Sequence, residues 1–256
     1  MTMDAIAKLV LNSDPSRFAA VMAAPVAARP SLIVLYAFNL EVARAPWASE
    51  QPMIAEMRLQ WWSDAVADLS KGIVRQHEVI VALSGAVDKG LPVPVLDRLI
   101  AARLWDVNKD PFADEAAFDT YLDDTGAGLM WLCAHALGAG AKAEAAIRGF
   151  GWASALASYL QAVPALEARG RIPLLDGRAL AVSALAQRGL TRLTQARRDL
   201  ATIPLSARPA LIAGWQAEKL LQMAVKEPKR VADGQLQLSE FARRGSLLWA
   251  SFRQQI

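Results

Sequence analysis

This sequence predicts a single all-α domain over residues 1–256, and three observations predict it. Apolar residues recur at helical rather than alternating spacing. Prolines stand repeatedly where a first helical turn begins. The composition is rich in Ala and Leu and poor in Tyr and Thr, which favours helix over strand. At 54% apolar content, a chain of this length can bury one sizeable core without a second domain.

The elements follow in chain order. Asp14-Pro15, Arg29-Pro30 and Gln51-Pro52 each open a helix, because the proline ring presets φ and its missing N–H is not needed there. From Pro52, the residues Ile54, Met57, Trp61, Ala65 and Leu69 mark one apolar face, placing Trp61 in the core and turning Trp62 partly outward. Further helices are expected over 75–89, 94–107, 115–138, 142–168, 178–200, 208–226 and 239–253. Leu91-Pro-Val-Pro94, Lys109-Asp-Pro111, Gly138-Ala-Gly140 and Glu227-Pro228 break the chain between them. The uncharged run Gly149–Leu166 approaches the length of a membrane span, but its Gly, Ser, Gln161 and Pro164 suit a buried helix better. Small residues at Gly126, Ala127 and Gly128 invite close approach of another helix or a ligand.

Charge and cysteine usage narrow the function classes. A net charge of +3 without a basic, aromatic-interleaved stripe gives no footprint for nucleic acid. Cys133, the only cysteine, reads as an inert buried thiol and suits a reducing compartment. His77 and His135 have no partners at metal or nucleophile spacing. No phosphate-cradling glycine loop and no nucleophile elbow occurs. The first residues carry an early acid and no basic lead, so the expectation is a cytoplasmic protein.

Three stretches carry more. Tyr36-Ala-Phe38-Asn39 continues as Leu40-Glu41-Val-Ala43-Arg44-Ala-Pro46-Trp47. Arg58-Leu-Gln-Trp61-Trp62 follows. Gly151-Trp-Ala153 opens a run through Leu160-Gln-Ala-Val-Pro164 to Gly170-Arg171-Ile-Pro173. On these residues, over about 30–225, the chain resembles the squalene/phytoene synthase family. That resemblance implies an isoprenoid-synthase-like helical bundle around a central apolar cavity. It also implies two aspartate clusters, one after the Tyr-x-Phe and one before the Gly-Arg. Such clusters hold Mg²⁺, which neutralises a departing diphosphate.

At the matching positions stand Ala43, Arg44 and Trp47, and Ala162 and Leu166. Glu41 lies two residues from Ala43, turned about 200° around a helix, and reads as solvated or salt-bridged. Glu167 beside Arg169 reads as an ion pair. Arg44 is a candidate for direct phosphate contact. Asp119 and Asp123 share a helix face and, with Asp124, read as solvated carboxylates more readily than as a metal site. Asp124-Thr125 departs from the synthase pattern. With Ala37-Phe38-Asn39 and Met57-Arg58-Leu, it makes the chain similar to the branch typified by the mitochondrial complex I assembly factor 6, which lacks intact aspartate motifs.

What the resemblance implies is a catalytically silent relative assisting assembly of NADH:quinone oxidoreductase. Its partner would be a subunit or assembly intermediate, with no cofactor. The alternative is a prenyl transferase using Mg²⁺ on farnesyl or geranylgeranyl diphosphate, held by Glu41, Asp123 or Glu167. Tyr36, Phe38, Asn39, Glu41, Arg44, Arg58, Trp61, Asp124 and Arg171 are the pocket or ligand-binding candidates. An isoprenoid or lipid ligand is compatible with either reading. The basic, amphipathic tail from Ser239 to Ile256 carries Phe241, Leu247, Leu248, Trp249 and Phe252 with Arg243, Arg244 and Arg253, and suits packing on the domain itself, or peripheral contact at the inner membrane face.

Overall fold

A computed structural model describes residues 3–253, among which every regular element is helical. In chain order these are α1 (Met3–Ser13), α2 (Pro15–Ala23), α3 (Arg29–Arg44), α4 (Pro52–Leu69), α5 (Glu78–Val87) and α6 (Val93–Ala102). Then come α7 (Glu115–Leu122), α8 (Gly128–Ala136), α9 (Glu144–Glu167), α10 (Ala179–Arg198), α11 (Ala217–Lys226), α12 (Lys229–Ala232) and α13 (Glu240–Arg253).

The three proline starts are where the sequence places them. At α2, Asp14 also caps: its Oδ1 accepts from the Arg17 N–H at 2.8 Å, satisfying one of the orphan donors of the first turn. At the other end of α3, Pro46 converts the chain into a tight turn over Ala45–Trp47.

Three expected elements differ in detail. Residues 115–136 run as one uninterrupted helical stretch, as expected, but a wider π-helical turn over Asp123–Ala127 separates α7 from α8, and Thr125 Oγ1 donates to Tyr121 O at 2.6 Å inside it. Residues 208–226 are divided into a tighter turn, Arg208–Gly214, and α11. Beyond Ala102, residues 103–107 continue as successive tight turns that bury Asp106. The buried face of α4 is also rotated. Ala55, Leu59, Trp62 and Val66 face inward, while Ile54 and Met57 are exposed and Trp61 is half-buried. Trp62 sits edge-on against Phe38 of α3, with centroids 5.7 Å apart. The spacing gave the period correctly, but the partner helix set the phase.

Two apolar clusters make the core. One gathers around α3 and α8, and the other around α9, α10 and α11. The segment Val26–Trp47 is apolar and long enough to cross a membrane by composition, but Leu32–Asn39 are packed inside the first cluster. The uncharged stretch of α9 is likewise buried between α8, α10 and α11.

Close approach joins the clusters. A Cβ on Gly151 of α9 would lie 2.6 Å from Ala127 Cα, and one on Gly126 would lie 2.3 Å from Ala155 Cβ. The small residues singled out in the sequence therefore serve a helix seam, in which backbones meet with no side chain between them.

Candidate functional site

The two stretches that resemble metal-binding clusters converge at one end of α3 and α9. The turn at Pro46 carries Trp47, and the turn after α9 carries Arg169 and Arg171. Gly170 takes φ +75°, a conformation open to glycine at little cost, and this turns Arg171 back toward the interior. The Arg169 guanidinium lies 4.5 Å from the Trp47 ring centre, and that of Arg171 lies 5.1 Å away. Arg169 thus meets Trp47, where the sequence suggested Glu167.

Arg171 is anchored more deeply. It lies 5.5 Å from the Trp105 ring, donates to Trp105 O at 2.9 Å, and donates to the Asp106 carbonyl. The Asp106 carboxylate accepts from Tyr121 Oη at 3.1 Å and from Arg103 at 3.2 Å. Burial raises the Tyr121 phenol well above its ordinary value, opposed by Arg103. Tyr159 Oη donates to Pro173 O at 2.8 Å, and burial raises it in the same sense. Asp106 was not a candidate in the sequence; only its Asp type, in an otherwise apolar Trp105-Asp-Val107 context, hinted at burial.

The family resemblance implies Mg²⁺ between these two stretches, and the residues present do not fit it. Ala43, Trp47, Ala162 and Leu166 offer no oxygen ligand, and two guanidiniums stack on the indole of the first stretch. Among the described residues, no three His, Cys, Asp or Glu side chains gather where they could hold a metal ion.

The acidic group around Asp119 is bound rather than solvated. Asp119 meets Arg188 at 2.8 Å and Arg192 at 2.6 Å, while Asp123 meets Arg148 at 2.8 Å. Asp124 meets Arg98 at 3.4 Å; partial burial and the neighbouring Asp123 raise its pKa. These contacts tie α7 and the wide turn to α6, α9 and α10, arginines too far away in sequence to be paired by inspection.

The remaining candidates divide between two hollows. A partly open pocket of about 280 Å³ lies among α2, α3, α8, α9 and α11. Tyr36 lines it, as do Arg17, Met130, Ser154, Ser158 and Gln161. Its size is at the lower edge of ligand pockets, about 300 Å³ upward. Its hydroxyls and amide make it more polar than the apolar chamber the resemblance implies. Beneath Tyr36 lies Cys133, whose thiol burial pushes up to about 12, an inert group as expected.

Glu41, Arg44, Arg58 and Trp61 instead line an outer cleft of about 500 Å³ with Trp62 and His77. There Glu41 and Arg44 form an exposed ion pair at 3.4 Å, as the helical offset from Ala43 predicts. His77 caps α5, its Nδ1 accepting from Val79 N–H at 3.3 Å, and packs on both tryptophans. His135 packs edge-on against Trp131. Phe38 and Asn39 are buried between the two hollows' walls and line neither. The structure therefore unites four of the nine candidates and disperses the rest. A third, apolar hollow of about 590 Å³ between α10, α11 and α13, lined by Phe150, Leu193 and Trp215, was not foreseen.

Comparison with known proteins adds to this geometry. A family model described as squalene/phytoene synthase matches residues 10–174. The chain is 25% identical over 167 residues to NADH dehydrogenase (ubiquinone) complex I, assembly factor 6, of Mus musculus, covering 64% of this chain and 50% of that protein. It is 26% identical over 195 residues to the assembly factor 6 homolog of Drosophila melanogaster, covering 72% and 57%. The chain spans about half the length of these curated relatives. Among solved structures, a dehydrosqualene synthase in complex with ligand superposes with TM-score 0.82 at 15% identity, covering 98% of this chain and 95% of that one. Squalene synthase HpnC from Alicyclobacillus acidocaldarius superposes with TM-score 0.76 at 16% identity, covering 89% and 94%. At such identities these two establish a shared fold, the all-α isoprenoid synthase bundle.

Proposed function

The chain belongs to the squalene/phytoene synthase family, and within it we propose a protein that assists assembly of NADH:quinone oxidoreductase rather than one that condenses prenyl diphosphates. One observation carries the second half of this reading: Ala43, Trp47, Ala162 and Leu166, the positions matched to the family's carboxylates, hold no oxygen ligand, and Arg169 and Arg171 pack on Trp47 beside them. Ionising an allylic diphosphate calls for cations to neutralise the leaving group, and those cations call for oxygen ligands. Here hydrocarbon and indole stand in their place, with two guanidiniums packed alongside. Glu41, Asp123 and Glu167 do not substitute for them. Glu41 is in the outer cleft, Asp123 is bound by Arg148, and Glu167 has no second carboxylate with it in any cluster of three potential ligands among the described residues.

The first half of the reading draws on the relatives named as complex I assembly factors. The partner is then a subunit or assembly intermediate of that complex, met at the cytoplasmic face of the inner membrane. Two measurements test the halves separately. Deleting the gene should lower assembled, active complex I several-fold, with recovery on complementation; unchanged levels would overturn the assembly role. Purified protein given farnesyl diphosphate and Mg²⁺ should release no diphosphate above the uncatalysed background. Turnover that depends on both would overturn the non-catalytic reading.

A further inference from the structure

Three segments distant in sequence contain arginines and no carboxylate: residues 15–40, 200–217 and 241–253. The fold packs them together. α2 meets the Arg208–Gly214 turn, and α13 lies across both. Ser251 Oγ donates to Ala23 O at 2.9 Å, and Ala23, Pro25, Leu205 and Ser251 line one shallow groove.

This face is apolar as well as basic, its one bordering carboxylate on α13, Glu240, being paired with Arg243 and Arg244. In α13, Phe241, Leu248 and Phe252 are separated by seven and four residues and so share one side of the helix. They are 90%, 74% and 57% exposed, while Ser246 and Leu247 on the other side pack against the body. The helix is therefore amphipathic with its apolar side outward, the reverse of what docking on its own core requires. Beside the groove, Val26 is 73% and Leu205 58% exposed. Arg29 and Arg208 flank these two residues. Arg29 donates to Met22 O at 2.9 Å and to Ala24 O at 3.0 Å, and Arg208 donates to Ile203 O at 3.4 Å. Neither meets a carboxylate among the described residues.

We propose that this face docks on an anionic lipid bilayer, with Phe241, Leu248 and Phe252 entering the headgroup–acyl boundary and Arg29 and Arg208 meeting lipid phosphates. Charge selects the occupant. Glu240, the first residue of α13, is paired with Arg243 and Arg244, so the surface carries a net positive charge that complements a sheet of negative charge, and aromatic and aliphatic side chains beside arginines suit the interfacial layer. A protein partner would commonly present charges of both signs to such a face. The site is independent of the assembly reading, because it concerns where the protein resides and not what it does there.

The test is flotation of the full chain with vesicles. Binding is expected to vesicles with about 30% phosphatidylglycerol, weakening as ionic strength rises about tenfold, and not to pure phosphatidylcholine. The triple variant Phe241→Ser, Leu248→Ser, Phe252→Ser should bind at least about tenfold more weakly. Its melting temperature should match that of the wild type, since these side chains are largely in solvent. Replacing Arg29 and Arg208 by Gln should remove the preference for the anionic vesicles while the apolar residues remain. No flotation with anionic vesicles, or equal flotation of the triple variant, would overturn the proposal. So would a homodimer that the triple variant splits and that ignores vesicles, which would give this face to a second copy of the chain.

Discussion

The seam between α9 and the turn before α8 differs sharply from the mouth between the ends of α3 and α9. At the seam, Gly126, Ala127 and Gly151 bring two backbones together so closely that a methyl group has no room. At the mouth, about two to four helical turns further along α9, the positions matched to carboxylates are Ala, Leu and Trp, and the Arg169 and Arg171 guanidiniums lie against the indole. The difference shows which constraint each residue answers to. A seam residue is held by neighbours on every side, so its replacement is paid in overlap wherever the fold persists. A ligand residue is held only by its ligand. Where no ligand is held, any side chain that fills the space and satisfies its own polar atoms will serve.

The mouth itself has a deep and a shallow layer, and substitutions can separate them. The largest effect is expected at Asp106→Ala, which strips a buried carboxylate from Arg103 and Tyr121. Leaving a buried guanidinium unpaired costs about 3–5 kcal/mol, to be read by urea denaturation. A loss under about 1 kcal/mol would show that the network is not what fixes the mouth. Next comes the seam: Gly151→Val should cost about 1–3 kcal/mol by overpacking against Ala127 and Met130. A neutral result there would erase the contrast between the two regions.

A pH series sharpens the comparison from the core. Below about pH 9, the buried Cys133 thiol is protonated both folded and unfolded. Above it the unfolded chain ionises, while the folded thiol stays protonated up to about 12, so stability falls as pH rises through this window. Tyr36, Tyr121 and Tyr159, all raised by burial, add to the fall above about pH 10. The melting temperature should drop from about pH 9 upward, and Cys133→Ala should flatten the first part of that drop. An identical slope in the variant would remove Cys133 from the account. The smallest effect belongs to the shallow layer: Trp47→Ala should cost about 1 kcal/mol in the same denaturation assay, because Trp47 is itself partly exposed and Arg169 remains in water.

Much of this was legible in the chain. Proline starts, breakers and helical period located the helices because these signals act through the local backbone, where a few residues suffice. The absence of ligand atoms at Ala43, Trp47, Ala162 and Leu166 was equally visible, since a residue type either has a donor oxygen or lacks one. What the sequence could not reveal were relations between distant residues. The rotation of α4 toward Trp62, the partners of Asp119 and Asp123, and the burial of Asp106 under Arg171 each depend on which helices come to lie side by side.

The sequence by itself thus determined an all-α bundle and the lack of donor oxygens at Ala43, Trp47, Ala162 and Leu166, because helix formation and ligand chemistry are properties of single residues and their near neighbours. Only the tertiary structure decided that Arg169 and Arg171 pack on Trp47, that the pocket beside Tyr36 is small and partly polar, and that α2, the Arg208–Gly214 turn and α13 come together. Those features arise from packing, which joins side chains many turns apart and is written in no local stretch of the chain.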